Sequence, residues 1–159
     1  MRKVLIFGNS GSGKSTLAKT LAESERLSHL DLDVLAWLPT TPPQRAPLEE
    51  SGEKIEMFIA TNSCWVIEGC YADLLEIAAP QATELIYLDL PVEQCVQNAK
   101  KRPWEPHKYD SREAQDANLE MLIDWIRDYD CGQYCFSRSA HEHLYKCFAG
   151  PKIRHTSNY

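Results

Sequence analysis

Residues 8–15 of this chain read Gly8-Asn9-Ser10-Gly11-Ser12-Gly13-Lys14-Ser15. They match G-x-x-x-x-G-K-[ST] at every fixed position. The glycines let the backbone curl so that successive N–H groups face one anion, and a helix starting here adds its positive N-terminal end. Lys14 is placed to reach the outer phosphates of a nucleotide, and the Ser15 hydroxyl is a Mg²⁺ ligand. The flanks agree. Lys3–Gly8 is an apolar run ending in glycine, the pattern of a buried strand. Lys14–Glu25 carries Leu17, Ala18, Leu21 and Ala22 at helical spacing. The candidate nucleotide-binding residues are therefore Gly8, Asn9, Ser10, Gly11, Ser12, Gly13, Lys14, Ser15 and Thr16. A dinucleotide-binding turn needs G-x-G-x-x-G. Here the glycines fall at 8, 11 and 13, and Lys14 has no task in that motif.

The rest of the chain alternates in the same manner. His29–Asp33 reads as a second strand, Trp65–Gly69 as a third, Glu84–Leu90 as a fourth closed by Pro91, and Lys152–Ser157 as a last one. Helical patterns cover Pro47–Asn62, Val92–Lys101, Arg112–Tyr129 and Ser139–Phe148. Leu119, Leu122, Ile123 and Ile126 make the Arg112–Tyr129 pattern the clearest of these. Pro39–Pro47 holds four prolines and Arg102–Asp110 two, so both read as loops. Strands alternating with helices predict βαβ units around a parallel sheet, the α/β class. The two loops are expected over the C-terminal edge of that sheet, where such folds bind ligands. No domain boundary is visible, and residues 1–159 read as one domain.

Composition narrows the partners. Seventeen basic against twenty-three acidic residues give a formal charge of −6. Generic nucleic-acid binding comes from neutralising phosphates with Lys and Arg, so no direct nucleic-acid partner is expected. No apolar run approaches the ~20 residues of a membrane-spanning helix. Met1–Gly8 starts like a signal peptide, but its apolar stretch is too short and no cleavage site follows. A cytoplasmic protein is expected, a monomer or weak homodimer, with its six cysteines mostly reduced and packed.

A phosphate loop needs carboxylates for Mg²⁺ and for the group that accepts the phosphoryl. Asp31 and Asp33 lie two apart on a segment read as extended, which points both side chains to one face. Glu68 ends the apolar run Trp65-Val66-Ile67. Asp89 follows Leu85-Ile86-Tyr87-Leu88, but Pro91 and Glu93 suit it to capping the next helix.

Together these segments resemble the P-loop small-molecule kinases, the group that contains adenylate, shikimate and gluconate kinases. Asp31-Leu32-Asp33 is similar to the D-x-D of shikimate kinases. Trp65-Val66-Ile67-Glu68-Gly69-Cys70-Tyr71 is similar to the acidic-Gly segment of nucleotide kinases. Leu85–Pro91 and the helix ending at Lys101-Arg102 resemble the strand and helix leading into their lid. With Trp37, the set most resembles a subgroup named topology modulation protein-related, or simply AAA-family ATPase. The resemblance implies a three-layer α/β/α P-loop NTPase fold, with a five-stranded parallel sheet in the order 2-3-1-4-5 and a lid over about 102–112. It implies transfer of the ATP γ-phosphoryl to a small-molecule acceptor. In those terms Ser15, Asp31 and Glu68 manage Mg²⁺, and Asp33 orients or deprotonates the acceptor hydroxyl. Lys14, Arg102 and Arg138 neutralise the transferred group. Arg112 and Arg127 read as exposed salt-bridging residues, and Arg45 sits in the acceptor-side loop. Asn98 stands where nucleotide kinases usually carry an arginine, and Cys70 and Tyr71 stand where another often follows the third strand. The acceptor is thus left open. A nucleotide-dependent regulatory ATPase or switch acting through a macromolecular partner stays the alternative, and a nucleotide-binding domain without turnover a third.

Cys131, Cys135, His141, His143 and Cys147 fall close together. Structural zinc usually shows repeated C-x₂₋₄-C pairs. On a helix His141 and His143 point about 200° apart, so packed thiols are expected rather than a metal. Trp37, Trp65 and Trp125 are expected to pack, while Trp104 and His107 lie in the lid.

Overall fold

The structure, a computed structural model, describes residues 1–40, 43–132 and 134–158. Part of the Pro39–Pro47 loop and Tyr159, the end of the chain beyond the last strand, lie outside the described residues. In chain order the elements are β1 (Lys3–Gly8), α1 (Lys14–Glu25), β2 (Ser28–Asp31), α2 (Asp33–Ala36), β3 (Trp37–Leu38) and β4 (Gln44–Arg45). Then come α3 (Leu48–Thr61), β5 (Trp65–Gly69), α4 (Ala72–Ala78), β6 (Glu84–Leu88), α5 (Val92–Lys100), α6 (Arg112–Arg127), α7 (Arg138–Cys147) and β7 (Lys152–His155).

Five strands form one sheet in the order β2-β5-β1-β6-β7, every pairing parallel. Counted along this sheet's own strands the order is the expected 2-3-1-4-5. The labels differ only because the small antiparallel ribbon β3–β4 intervenes in the chain. Successive side chains of a strand point to opposite faces, and both faces of the central strands β5, β1 and β6 are covered, so these read as nearly unbroken apolar runs. Leu5, Phe7, Trp65, Ile67, Leu85 and Tyr87 face one layer with Ile55 of α3, Leu74 and Leu75 of α4, and Leu144 of α7. Val4, Ile6, Val66, Ile86 and Leu88 face the other with Ala18 of α1, Cys95 and Val96 of α5, and Ile126 of α6. Phe7 stacks on Tyr87 with ring centroids 4.8 Å apart.

Because all five strands run the same way, Gly8, Asp31, Glu68 and Leu88 end at a single edge. Asp31 pairs in register with Glu68, and Ile6 with Glu68 on the other side.

Several expectations need correction. The second strand stops at Asp31, and Asp33 opens the short helix α2. Its backbone N–H donates to Asp31 Oδ1 at 2.9 Å. This local side-chain bond competes with strand continuation and turns the chain. Asp31 and Asp33 therefore do not share one extended face. The Pro39–Pro47 loop contributes strand β4, since its prolines fall outside the paired residues Gln44 and Arg45. Helix α4 had no signal in the sequence. Seven residues are too few for a periodic pattern, and packing of Leu74, Leu75 and Ala78 on the sheet supports it instead. Asp89 caps nothing: Pro91 is the N-cap of α5, with no side-chain bond. The Asp89 N–H extends the ladder to His155 O at 2.7 Å, and its carboxylate faces arginines.

Candidate active site

The loop after β1 has the conformation the motif requires. Gly11 and Gly13 sit at φ +79° and +94°, and a Cβ on Gly11 would stand 2.4 Å from the backbone oxygen of Cys95. Gly13 is the N-cap of α1, whose first turn has no side-chain cap and no acidic residue. The positive helix end is thus left for an external anion. The buried Ser12 hydroxyl has no hydrogen-bond partner among the described residues. An orphaned hydroxyl inside such a cradle fits a phosphate oxygen. Lys14 is buried and folds back, its Nζ donating to Asn9 O at 2.8 Å. Asn9 Nδ2 is tied to Ile126 O at 3.1 Å. Ser10 is half-buried, while Thr16 lies exposed on α1.

Asn98, at the position of a usual arginine, has a different task here. Its amide donates to Gly11 O at 2.8 Å and to Asn158 Oδ1 at 2.8 Å. Asn158 in turn donates to Ser12 O at 3.2 Å. The two amides brace the outside of the loop.

On the inner side Ser15 Oγ donates to Glu68 Oε2 at 2.7 Å, and His29 Nε2 lies 3.2 Å from the same oxygen. Glu68 is buried. Asp31, its register partner, has its carboxyl pushed above the ordinary value, by burial first and then by the charges of Glu68 and Asp33. Hard oxygen ligands with few direct contacts suit Mg²⁺, which keeps several waters and is completed by phosphate oxygens. Among the described residues no three His, Cys, Asp or Glu side chains form a cage for a metal. All six cysteines are free thiols. His141 is buried with both ring nitrogens engaged, Nε2 on Cys70 O and Nδ1 on Tyr129 OH, each at 2.7 Å. Burial holds its imidazole neutral, pushed down to about 3.

Asp33 receives two donors. Tyr71 OH donates to Oδ1 at 2.7 Å, and Lys108 Nζ to Oδ2 at 2.9 Å. Burial opposes its charge, but the Lys108 ammonium and these bonds outweigh it and hold the carboxyl below its ordinary value. Tyr71 is itself pinned, since Trp37 Nε1 donates to its hydroxyl at 2.7 Å. Burial keeps Tyr71 a neutral phenol. Trp37 also meets Trp125 edge-on, with ring centroids 6.0 Å apart.

Lys108 carries no sequence motif and was not among the expected site residues. Its Nζ lies 2.9, 3.4 and 3.6 Å from Asp33, Asp31 and Glu105. Burial works against its charge, but the carboxylates hold it above its ordinary value. A lysine in the lid loop was the one available signal.

The arginines divide. Arg102 Nη1 pairs with Glu105 at 3.3 Å in the same loop. Arg138 is engaged by Asp89 and Asp130 and lies over the Tyr129 ring at 4.8 Å. Arg45 is held by Asp73 at 3.1 Å and lies 4.7 Å above the Tyr71 ring. Arg127 and Arg112 form loose surface pairs with Glu93 at 3.5 Å and Asp116 at 3.7 Å.

A five-stranded parallel sheet of this order, with a glycine-rich turn leading from its first strand into a helix, is the P-loop NTPase fold. The chain belongs to the AAA-domain family, whose model matches residues 4–118. It is similar to the uncharacterized protein YqaC of Bacillus subtilis (strain 168), 23% identical over 156 residues, which are 96% of this chain and 87% of that protein. Two solved structures share the fold. A sugar kinase from Janibacter sp. HTCC2649 superposes with a TM-score of 0.54 at 14% identity, covering 98% of this chain and 85% of its own. A shikimate kinase from Bacteroides thetaiotaomicron gives 0.54 at 16% identity, covering 91% and 97%. No helix among the described residues is long and apolar enough to cross a membrane.

Proposed function

We propose that the protein is an ATP-dependent phosphotransferase acting on a small hydroxylated acceptor. The observation that carries this reading is the convergence of the Ser15–Glu68 pair and Asp33 on the edge that holds the phosphate loop. Residues Gly8–Thr16 bind the nucleotide phosphates, and Lys14 exchanges its bond to Asn9 O for a phosphate oxygen. Ser15 ligates Mg²⁺, with Asp31 and Glu68 acting through water. When bound, the ion neutralises charge on the β- and γ-phosphates.

Asp33 accepts a hydrogen bond from the acceptor hydroxyl. As the hydroxyl oxygen bonds to the γ-phosphorus, the bond to the β-phosphate oxygen breaks and ADP leaves. The hydroxyl proton passes to the Asp33 carboxylate. Such transfer needs alignment and charge neutralisation more than covalent chemistry. Arg102 supplies charge from the start of the lid, and Arg138 does so on leaving Asp89. Closure of residues 102–112 excludes water.

The test is ADP release from Mg-ATP against nucleoside monophosphates, nucleosides, shikimate, gluconate and simple sugar acids, with Lys14→Ala as control. A single acceptor raising turnover well above basal, and losing that effect in the control, supports the reading. A flat panel with intact nucleotide binding moves the assignment to a nucleotide-dependent switch.

A further inference from the structure

The acceptor hydroxyl must bond to Asp33, and each of its oxygens already accepts one strong donor. Oδ1 is held by Tyr71, which is 3% exposed and fixed by the indole of Trp37. That donor is the N-cap of α4 and is part of the buried core. Oδ2 is held by Lys108, which belongs to the loop between α5 and α6. This loop has its own frame. The N–H groups of Lys108 and Tyr109 donate to Glu105 O at 3.0 Å. Glu105 N donates to Gln115 Oε1 at 2.8 Å, and Gln115 Nε2 to Pro103 O at 3.0 Å. The loop is thus a folded turn hinged on α6. Its tie across to the Asp31–Asp33 side, among the bonds and ion pairs described, is the Lys108 ammonium.

We propose that Lys108 is a strap: its ammonium closes the lid over Asp33 in the unliganded protein, and a group that approaches Asp33 Oδ2 competes with it. The strap rests on the phosphotransferase reading only for the identity of the displacing group, the acceptor hydroxyl. It makes Lys108 a determinant of which acceptors enter. An acceptor has to offer Asp33 a hydrogen-bond donor good enough to compete with a charge-assisted one. Once displaced, the ammonium stays in the lid, beside Glu105 and close to the charge carried by the transferred group. The cation that closes the empty site is then at hand to neutralise the filled one.

The test reads the lid directly. Amide hydrogen exchange over 103–110 is compared in ligand-free wild type, Lys108→Met, Lys108→Arg, Asp33→Asn and the Lys108→Met/Asp33→Asn double variant. Loss of one charge-assisted bond predicts exchange roughly tenfold faster in Lys108→Met and in Asp33→Asn. The double variant should be no faster than Lys108→Met, and Lys108→Arg should keep most of the protection. Unchanged exchange in both single variants would overturn the strap, as would additive effects in the double variant. Two variants that remove the same bond from opposite sides guard against one of them failing to fold. With an acceptor from the ADP-release panel, Lys108→Met should lower the acceptor KM several-fold while kcat stays level or falls. A raised KM would overturn the proposal. Faster exchange in both variants together with a flat acceptor panel would sink the phosphotransferase reading and leave the strap standing.

Discussion

The phosphate loop takes its shape from eight consecutive residues, whereas the Asp33 side is assembled from residues 31, 33, 37, 71 and 108, drawn from three separate stretches of the chain. In the loop, backbone groups do the work, and side chains such as Asn98 and Asn158 brace it from outside. On the Asp33 side the backbone only delivers side chains, and a chain of hydrogen bonds from Trp37 through Tyr71 to Asp33 sets the geometry. A local cradle depends on conformation. An assembled wall depends on every partner being present.

The contrast can be broken most severely at Lys14. Lys14→Ala should reduce phosphoryl transfer by on the order of 10²–10³-fold with an unaltered melting curve, measured by ADP release and circular dichroism. Near-full activity would remove the loop from the chemistry. Next comes Gly11→Ala, which puts a Cβ at φ +79° and 2.4 Å from Cys95 O. It should cost about 1–3 kcal/mol of stability, read by denaturant unfolding, and weaken nucleotide binding with it.

His141 gives a pH test of the layer behind Tyr71. Its native imidazole is pushed down to about 3 from an ordinary value of 6.5. Between those values the unfolded chain binds a proton that the native protein does not. Stability should therefore fall as pH drops from 6.5 toward 3, by up to about 1.4 kcal/mol per pH unit from this group. His141→Gln, which cannot titrate, should show a shallower slope in that window. Equal slopes would mean that the native imidazole accepts its proton.

Tyr71→Phe removes the donor to Asp33 and the acceptor of Trp37. A loss of about 1–2 kcal/mol in stability is expected, together with a lower kcat, because the Asp33 carboxylate is no longer aimed. If kcat holds while stability falls, the hydrogen-bond chain is only structural. The smallest effect belongs to Arg127→Ala. Its pair with Glu93 spans 3.5 Å with both side chains more than half exposed, so thermal unfolding should shift by no more than about 0.5 kcal/mol.

What was legible in the sequence followed from local rules. The loop from Gly8 to Ser15, the strands at Lys3–Gly8 and Trp65–Gly69, and the helix Lys14–Glu25 all stand where their patterns put them. Their signals are short-range: glycine conformation, apolar runs and helical spacing. Asp33 was legible as a candidate but not in its setting, because a single bond from its N–H to Asp31 ended the strand two residues early. Asp89 was misread as a cap for a related reason. Nothing in Leu88–Glu93 shows that Arg138 and Arg154, far along the chain, are brought to its carboxylate.

Lys108 is the sharpest instance. Sequence places it in a proline-rich loop beside other charges, where a solvated lysine is the ordinary outcome. Only the parallel sheet, which delivers Asp31 and Asp33 to one edge, and the return of the chain from α5 to α6 bring its ammonium against them. Local sequence determined the cradle because a turn's conformation is a property of its own residues. The tertiary structure decided the charges facing it, because electrostatic partners are set by distance in space and not along the chain.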